Sequence, residues 1–477
     1  MVRISRRGAL ALLGGGGVLA GLAATGGARA LAAAGPPEVR PPLPRARLLD
    51  ADEPLRAGRA VFSGGQEGFG YNGGIPGPTI RLRNGDAFAR RVENLMDQPT
   101  TVHWHGLVAP QDMDGQPHDE IAAGSGRDYA FPIRQRAGLN WYHPHPHGTT
   151  AAQAWYGLAG FFVIEDEEEA ALGLPSGDQE LFLVIRDAQS AAGGMFGYVA
   201  DIAGTEGEVP MVNGVAWPRT TLARGFARLR ILNGANARVF RLRSQAALTV
   251  IGNDGGLIDT PQPVDEIEMA PGERVDVLMD LRGFEPGATV GLNCNAAGWP
   301  MLEIEVTEGP ETGWEIPGHL SEIETLVHSG EPDRTFVFQE NERINGEVYE
   351  MNRIDFIVPF GAVERWRFAS ARGAPHPIHV HGAHFQVLEG TVPNGGVRAV
   401  RPWERGWKDT VNVRTHETVD VLVRFDVYEG RYLLHCHKLE HEDHGMMMNF
   451  VVSRNPDEAR KRAELERLYG PICFSEA

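Results

Sequence analysis

The placement of histidine restricts how this chain can fold more than any other feature of its sequence. Thirteen of the 17 histidines lie in four windows, 103–105, 143–147, 376–384 and 435–444, which together make up 27 of the 477 residues. Three windows contain a His-x-His pair: His103/His105, His143/His145 and His379/His381. Residues i and i+2 share one face of a β-strand, so each pair is predicted to project both imidazoles into one site. Neutral imidazole is a common ligand of copper, zinc and iron.

The fourth window has a cysteine between two histidines, His435-Cys436-His437. On a strand, Cys436 would point to one face and its two neighbours to the other, so two adjacent metal sites are predicted. Two imidazoles, a thiolate and a weak axial thioether form a blue-copper electron-transfer centre. The chain offers that ligand set on the cysteine side in His376, Cys436, His441 and Met446.

Short strand-like runs indicate an all-β chain. They are bounded by Gly, Pro, Asn or Asp, and the sequence has 59 Gly and 32 Pro. Helix-period patterns are scarce, so β-sandwich or barrel domains are predicted. The clearest runs are Thr79–Leu82, Ala227–Leu232, Val275–Met279, Thr335–Gln339 and Val419–Phe425.

A weak internal repeat indicates three such domains. Asn72-Gly73, Asn213-Gly214 and Asn345-Gly346 each precede a strand, a glycine and an Arg-bearing strand, at spacings of 141 and 132 residues. Fixed self-similarity of this kind is typical of repeated domains, although coincidence between hairpins remains the alternative. Acidic and Gly/Pro/Glu-rich stretches mark the ends of the first two copies. The predicted domains are 40–168, 175–310 and 330–453, followed by a tail, 454–477, with a short charged helix from near Pro456.

The N-terminal segment is typical of an export signal. Arg6 and Arg7 precede an apolar Gly/Ala stretch with small-x-small sites at Ala28–Ala30 and Ala30–Ala32. Residues 1–32 are therefore predicted to be a twin-arginine signal peptide, used by the Tat export machinery, with a disordered basic tail as the alternative. The mature protein is expected in the periplasm or outside the cell. No later segment reaches 18 apolar residues, so no membrane insertion is expected after signal removal.

Charge and cysteine content exclude other classes. A formal net charge of -18 argues against a nucleic-acid partner, which needs a basic surface. Three cysteines cannot form a disulfide framework. Cys294 and Cys473 could pair in an oxidising compartment or remain thiols, and the sequence leaves both open.

Four segments of the chain resemble the copper-binding segments of the multicopper oxidases, a family that includes laccases, bilirubin oxidases, spore-coat laccases and bacterial cuprous oxidases. These segments are HWHG, WYHPH, HPIHVHG and HCHKLEHEDHGM, in that order. NGGIPGPTIRLRNGD and GLAGFFVIED also resemble the first domain of this family. The likeness covers nearly the whole mature chain. It implies three cupredoxin-like Greek-key domains, with a trinuclear copper site between domains one and three and a ligand-free domain two as a spacer.

The resemblance also implies four copper ions and their ligands. A type 1 copper would be held by His376, Cys436 and His441 with Met446 axial, and a type 2 copper by His103 and His379. The type 3 pair would take His105, His143, His145, His381, His435 and His437. Cys436 and the flanking His435 and His437 would connect the two sites and serve in catalysis.

Two acids resemble the proton-delivery groups of the family, because reduction of O₂ to two waters consumes four protons. They are Asp114, nine residues after His105, and Glu442, directly after His441. The alternatives are a solvated loop aspartate and a glutamate that only hydrogen-bonds behind the ligands. The remaining histidines are not predicted to be ligands. Those near the motifs are predicted to lie behind the ligands or on the surface: His118, His147, His384 and His444. The isolated His319, His328 and His416 are predicted to be structural, and Met447 and Met448 to pack in the core.

The reductant is predicted from what precedes His376. Bacterial cuprous oxidases of this family carry a methionine-rich insertion in the third domain, whereas this chain has only Met351 between Met301 and Met446. Cu(I) needs soft thioether ligands. With Arg372-Gly373-Ala374-Pro375 before His376, the chain is predicted to be a laccase-like oxidase of phenolic and aromatic reductants with O₂. The alternatives are a cuprous or manganous metallo-oxidase and a non-catalytic structural or copper-storage relative.

Overall fold

A computed structural model describes residues 35–62, 65–190, 197–309, 313–371 and 373–469. The predicted signal peptide 1–32, Arg372 and Cys473 lie outside these residues. Strands dominate the described chain, so the all-β prediction is confirmed. They form six sheets in three face-to-face pairs, termed here the first, second and third sandwich. No helix in these ranges is long and apolar enough to cross a membrane.

The first sandwich has two four-stranded sheets, of order β2-β1-β4-β6 and β3-β8-β7-β5. Its strands are β1 (Leu55–Val61), β2 (Glu67–Tyr71), β3 (Gly77–Arg83), β4 (Ala87–Asn94), β5 (His103–His105), β6 (Gly126–Pro132), β7 (Gly138–His143) and β8 (Gly160–Glu165). A 3-10 turn, Pro117–Asp119, and two short helices, α1 (Thr150–Trp155) and α2 (Glu167–Ala171), belong to the same part of the chain.

The second sandwich has sheets of seven and five strands, of order β11-β10-β9-β13-β18-β15-β16 and β12-β20-β19-β14-β17. Its strands are β9 (Glu180–Ala188), β10 (Val209–Val212), β11 (Val215–Ala216), β12 (Arg219–Ala223), β13 (Phe226–Asn233), β14 (Phe240–Ser244), β15 (Ala247–Asn253), β16 (Gly256–Val264), β17 (Ile267–Met269), β18 (Arg274–Asp280), β19 (Thr289–Cys294) and β20 (Trp299–Thr307). The 3-10 turn Gly177–Gln179 precedes it. Cys294 is buried in the apolar core of this sandwich.

The third sandwich has sheets of six and five strands, of order β22-β21-β24-β29-β26-β27 and β23-β31-β30-β25-β28. Its strands are β21 (Arg334–Gln339), β22 (Arg343–Ile344), β23 (Phe356–Pro359), β24 (Val363–Ser370), β25 (His376–Val380), β26 (Phe385–Thr391), β27 (Val397–Arg398), β28 (Thr410–Val413), β29 (Thr418–Arg424), β30 (Gly430–Cys436) and β31 (Met447–Ser453). The other elements here are a 3-10 turn, Pro402–Glu404, and the helices α3 (Leu439–Asp443) and α4 (Pro456–Tyr469). Helix α4 is the charged helix predicted near Pro456.

Each sandwich buries its own apolar core between its two sheets. In the first, Trp104 is fully buried and its ring centroid lies 4.8 Å from that of Phe88. Trp104 therefore points into the core, as predicted, while its neighbours His103 and His105 face away from it. This alternation is what a strand does with successive side chains.

The Asn-Gly repeat corresponds to one recurring turn. The three asparagines have left-handed backbones, with φ of 51°, 50° and 53°, at Asn72, Asn213 and Asn345. In each case the side-chain oxygen accepts a backbone N–H of an earlier strand in the same sandwich, at 2.7, 2.8 and 2.7 Å. The side-chain amide donates to a backbone carbonyl two residues before that N–H. Asparagine suits this position because its short polar side chain tolerates the left-handed region and bonds locally.

We predict that Asn213→Ala lowers the free energy of unfolding of the second sandwich by about 2–3 kcal/mol, because it removes buried hydrogen bonds and forces a left-handed alanine. Urea denaturation measures the loss. Asn213→Gly is the matched control, since it keeps the backbone conformation and loses only the hydrogen bonds, so it should be less destabilising. Equal stability of the alanine variant and the wild type would contradict this role.

Candidate metal centre

The first sandwich presents its histidines at one edge of a sheet. Strand β5 is an edge strand, and it pairs with β7 so that His103 lies opposite His143. The strand β7 ends at His143. His145 therefore lies beyond the strand. The rings of His143 and His145 still lie together as predicted, stacked with centroids 6.0 Å apart, but strand alternation is not what places them there. Pro144 cannot donate to the ladder, which is consistent with the strand ending there.

The third sandwich contributes its histidines from two neighbouring strands. Strands β25 and β30 are antiparallel, with Ile378 opposite Cys436 and His379 opposite His435. Alternation puts His376 on the same face as Cys436, and puts His379 and His435 on the other face. One pair of strands thus serves two sites, as the sequence predicted for Cys436.

The predicted ligands gather into compact groups, each with ligand atoms within 4.8 Å of one another. Two triads combine histidines of the first and third sandwiches, so this site lies between those sandwiches. A third group lies on the other face of β25 and β30, and His103 and His379 lie together beside the triads. The triads are His105/His143/His437 and His145/His381/His435, and the third group is His376/Cys436/His441.

Hydrogen bonds fix which nitrogen of His103 and His379 carries the proton. The Nδ1 atom of His103 bonds the Asp114 carbonyl at 2.8 Å, and that of His379 bonds the Asp409 carbonyl at 2.9 Å. A carbonyl oxygen can only accept, so both Nδ1 atoms are protonated and both Nε2 atoms carry lone pairs. These Nε2 atoms face each other at 3.4 Å. Two facing lone pairs repel unless a cation lies between or beside them.

The same conflict occurs in the first triad. The Nδ1 atom of His143 donates to the Pro144 carbonyl at 2.8 Å, and the Nε2 atom of His105 lies 3.0 Å from Asp409 Oδ1. The neighbouring Arg274 helps to hold the pKa of Asp409 well below its usual value despite burial, so this carboxylate accepts. The lone pairs of His143 Nε2 and His105 Nδ1 therefore face each other at 3.4 Å.

In the second triad three Nε2 atoms converge. The His435 atom lies 3.0 Å from that of His381 and 3.3 Å from that of His145. Burial lowers the pKa of all three imidazoles, that of His145 to about 3, and the neighbouring histidines lower it further. The rings are neutral at neutral pH and available as ligands. This donor set fits a borderline transition-metal cation.

The group around Cys436 has a different donor chemistry. The thiol sulfur lies 3.4 Å from His376 Nδ1 and 3.6 Å from His441 Nδ1, and all three residues are buried. Burial raises the pKa of Cys436 to about 12, so the thiolate forms only when a cation replaces the proton. Met446 is buried beside it, and its backbone bonds both Cys436 and His441. Two imidazoles, one thiol and a nearby thioether suit copper.

Both predicted acids reach the histidines. Asp114 is fully buried, and its Oδ2 lies 2.7 Å from His381 Nδ1. The carboxyl of Glu442 lies 3.1 Å from His145 Nδ1 and 3.3 Å from His435 Nδ1. Burial raises the pKa of each acid well above its usual range, so both can hold a proton at neutral pH. The reading of Asp114 as a solvated loop residue is therefore wrong.

The other histidines stay outside the groups among the residues that the structure describes. Two of them bond backbone carbonyls at 2.6 Å: His118 that of Met351, and His444 that of Glu440. His147 packs on Tyr349. Met447 and Met448 are buried on β31, as core packing requires.

Sequence reasoning missed Asp409 and Arg274. Both are fully buried, and Arg274 donates to both carboxylate oxygens of Asp409. One signal could have pointed to Asp409, because the charged pair Lys408-Asp409 directly precedes the buried strand β28. Only the structure reveals Arg274: a Cβ on Gly106, whose φ is +87°, would meet Arg274 Nη2 at 2.5 Å.

Three β-sandwiches, a histidine cluster between the first and third, and a cysteine-centred group beside it define a copper-dependent oxidoreductase built from cupredoxin-like domains. Family models described as multicopper oxidase match residues 56–169 and 321–456. The chain belongs to the multicopper oxidase family. The predictions of the family, the cupredoxin-like fold, an oxidase that uses O₂ and copper as cofactor are confirmed.

Relatives and solved structures agree with this membership. The chain is 32% identical to multicopper oxidase mco of Staphylococcus aureus over 81% of this chain and 84% of the relative. It is 32% identical to the bilirubin oxidase of Albifimbria verrucaria, over 81% and 73% respectively. The crystal structure of a laccase from Pediococcus acidilactici Pa5930 superimposes with a TM-score of 0.82 at 32% identity, covering 88% of this chain and 95% of that chain.

We predict that the copper-free protein loses stability steeply as the pH falls below about 6.5. The buried histidines have pKa values below the unfolded value of about 6.5, so only the unfolded chain takes up protons there. Stability is full above that pH, and each such histidine costs up to about 1.4 kcal/mol per pH unit below it. Thermal unfolding of the copper-free chain between about pH 7.5 and pH 5 measures the effect. Replacing the exposed His319 by Asn is the control, and a melting temperature independent of pH would contradict the burial of neutral imidazoles.

Proposed function

We propose that this protein is a laccase-like oxidase with four copper ions, coupling four one-electron oxidations of phenolic or aromatic reductants to reduction of O₂ to two waters. The observation that carries the proposal is the pairing of buried imidazole lone pairs at 3.4 Å, which only a bound cation relieves. In a non-catalytic relative without metal, this repulsion would only lower the stability of the fold. The intact ligand set therefore supports an enzyme over a non-catalytic scaffold.

Each group has a proposed occupant. The type 1 copper would be held by His376, Cys436 and His441, with Met446 as a further ligand, and the type 2 copper would be held by His103 and His379. One type 3 copper would bind His105, His143 and His437, and the other His145, His381 and His435. Bound copper supplies one-electron oxidation of the reductant at the type 1 position and reduction of O₂ at the other three.

The chain itself connects the two sites. Cys436 shares its backbone with His435 and His437, so a path of covalent bonds leads from its sulfur to one imidazole of each triad. Burial of this segment excludes water from the path. Cys436, His435 and His437 are therefore assigned to electron transfer.

Glu442 and Asp114 are assigned to proton delivery. Each is a buried carboxylic acid with a raised pKa within 3.3 Å of an imidazole of the second triad. An acid in this state holds a proton at neutral pH and releases it to a nearby basic oxygen. Glu442 touches two imidazoles of the triad, and Asp114 touches His381 and His103.

The surroundings of His441 support an organic reductant. A cavity of about 880 Å³ lies beside His444, three residues from His441, and is lined in part by the exposed side chains of Val199 and Ile202. The volume suits a small organic molecule.

Export through the Tat machinery, with residues 1–32 as the signal peptide, is proposed from the sequence alone. Arg6-Arg7 and the Gly/Ala-rich stretch support it. The mature enzyme would then act in the periplasm or outside the cell.

Turnover on a phenol, bilirubin, Mn(II) and Cu(I), each with and without added copper, tests the proposal. Phenol oxidation with O₂ uptake is expected in every preparation saturated with copper. Turnover on Cu(I) or Mn(II) far above that on phenols would favour the metallo-oxidase alternative. Absence of any O₂ uptake by the copper-loaded chain would favour the structural alternative.

We predict that Cys436→Ser abolishes both the absorbance near 600 nm that a copper–thiolate bond produces and the oxidase activity. The fold should persist, because serine fills nearly the same volume in the core. Visible absorbance, O₂ uptake and circular dichroism measure the three quantities. Survival of the activity would show that electrons do not pass through this sulfur.

We predict that Glu442→Gln slows O₂ reduction by about 100-fold, because the amide keeps the shape of the acid but cannot deliver a proton. Anaerobic bleaching of the 600 nm band by a phenol should keep its wild-type rate. Glu440→Gln is the matched control, since Glu440 lies on the same helix and bonds Asn236 instead. Wild-type O₂ turnover in the Glu442 variant would remove the assignment, and the same test on Asp114→Asn decides the second acid.

A further inference from the structure

Five buried charged residues meet where the three sandwiches join. Two are cations and three are carboxylates, and none is more than 2% exposed. The second sandwich supplies three of them and the segment before β28 supplies the other two. They are Asp254, Glu273, Arg274, Lys408 and Asp409.

Arg274 is bonded to all three sandwiches at once. Its Nε donates to the Leu139 carbonyl on β7 at 2.9 Å, four residues before His143. Its Nη1 and Nη2 donate to the Gly272 and Asp254 carbonyls at 3.1 and 3.2 Å. The same two nitrogens donate to Asp409 Oδ1 and Oδ2 at 2.7 and 2.5 Å. All five donors of the guanidinium are used, which a lysine with three donors could not match.

Asp409 connects Arg274 to two of the histidines. Its Oδ1 lies 3.0 Å from His105 Nε2, and its backbone carbonyl accepts from His379 Nδ1 at 2.9 Å. The next residue, Thr410, lies 3.2 Å from both rings through its hydroxyl. These contacts select the nitrogen that each ring turns toward the cluster. Such partners behind metal ligands set ring orientation and tautomer.

Lys408 connects the segment before β28 to the same network. Its Nζ lies 3.0 Å from Asp254 and 3.1 Å from Glu273, so it is shared between two carboxylates of the second sandwich. Asp409 directly follows Lys408, so these ion pairs fix the backbone that carries Asp409.

Two glycines show how closely the second sandwich approaches the cluster. A Cβ on Gly106 would meet Arg274 Nη2 at 2.5 Å and Asp409 Oδ2 at 2.8 Å. A Cβ on Gly272, whose φ is +85°, would meet His437 Cδ2 at 3.0 Å. The second sandwich therefore contacts both ends of the triad His105/His143/His437. A spacer would not need to do so.

We propose that Arg274 and Asp409 are positioning residues for the trinuclear copper site, through which the second sandwich holds His105 and His379 in their metal-binding orientation. The proposal rests on the proposed function, because it assumes copper at these histidines. It extends the prediction that the second domain is a spacer that holds the other two domains together. The described part of that domain offers no metal ligand, yet its arginine determines how two ligands of its neighbours point.

The test compares copper content with the 600 nm absorbance. In Arg274→Met, the trinuclear copper ions should be released to a chelator 10- to 100-fold more readily than in the wild type, as expected when a partner behind a ligand is lost. The type 1 site has no contact with Arg274 and should keep its full absorbance per chain. Asp409→Asn keeps the shape and removes the charge, so the same selective loss is expected.

Arg228→Met is the matched control. Arg228 is also buried in the second sandwich and paired with carboxylates, Asp276 and Glu169, but it touches no histidine. Its loss should lower stability and leave copper retention at the wild-type level. Arg274→Lys, which keeps the charge and loses donors, should give intermediate retention and replaces the Met variant if that variant does not fold.

The outcomes distinguish failure of the positioning role of Arg274 from failure of the proposed function. Wild-type copper retention in Arg274→Met or Arg274→Lys would overturn the positioning role. Parallel loss of copper and of 600 nm absorbance would mean that Arg274 only stabilises the fold, which also overturns it. If the wild-type chain itself takes up no copper, the proposed function fails first. Selective loss confined to the Arg274 and Asp409 variants supports the proposal.

Discussion

The pairing of β25 with β30 is the constraint on which both sites depend. Because Ile378 lies opposite Cys436 and His379 lies opposite His435, one face of this ribbon carries the thiol and the other carries imidazoles. A shift of the register by one residue would exchange the faces and remove both groups together. The apolar core of the third sandwich holds the register, since Ile378, Cys436 and Leu434 are all part of it. Core packing therefore fixes the position of the thiol group relative to the imidazoles on the other face.

The histidine cluster between the first and third sandwiches lowers the stability of the metal-free chain. Its facing lone pairs and its neutral buried histidines are each unfavourable without a cation. The fold tolerates them because the surrounding groups are firmly bonded: Arg274 with all five donors, and Asp409 through its side chain and its carbonyl. A rigid cage of this kind lets a metal bind without rearrangement of its ligands. The group His376/Cys436/His441 is also completed only by a cation, because burial disfavours the Cys436 thiolate until a cation replaces its proton.

The sequence predicted which histidines and which cysteine lie together in the structure, but not the residues that hold them in place. The His-x-His spacing and the central Cys436 are local patterns, so strand periodicity was sufficient to bring them together. The Asn-Gly repeat revealed three sandwiches because each copy uses the same turn chemistry. The role of Arg274 depends on contacts more than 130 residues apart in sequence, with Leu139 and Asp409, which no periodicity encodes.

This chain is proposed to enclose four separate copper positions, one on the thiol face of the β25–β30 pair and three among the histidines between the first and third sandwiches. Anomalous diffraction from crystals of the copper-loaded protein, collected at the copper absorption edge, tests it most directly. Four peaks are predicted: at His376/Cys436/His441, at His103/His379, and one within each histidine triad. A single peak shared by the two triads, or no peak between His103 and His379, would contradict the account.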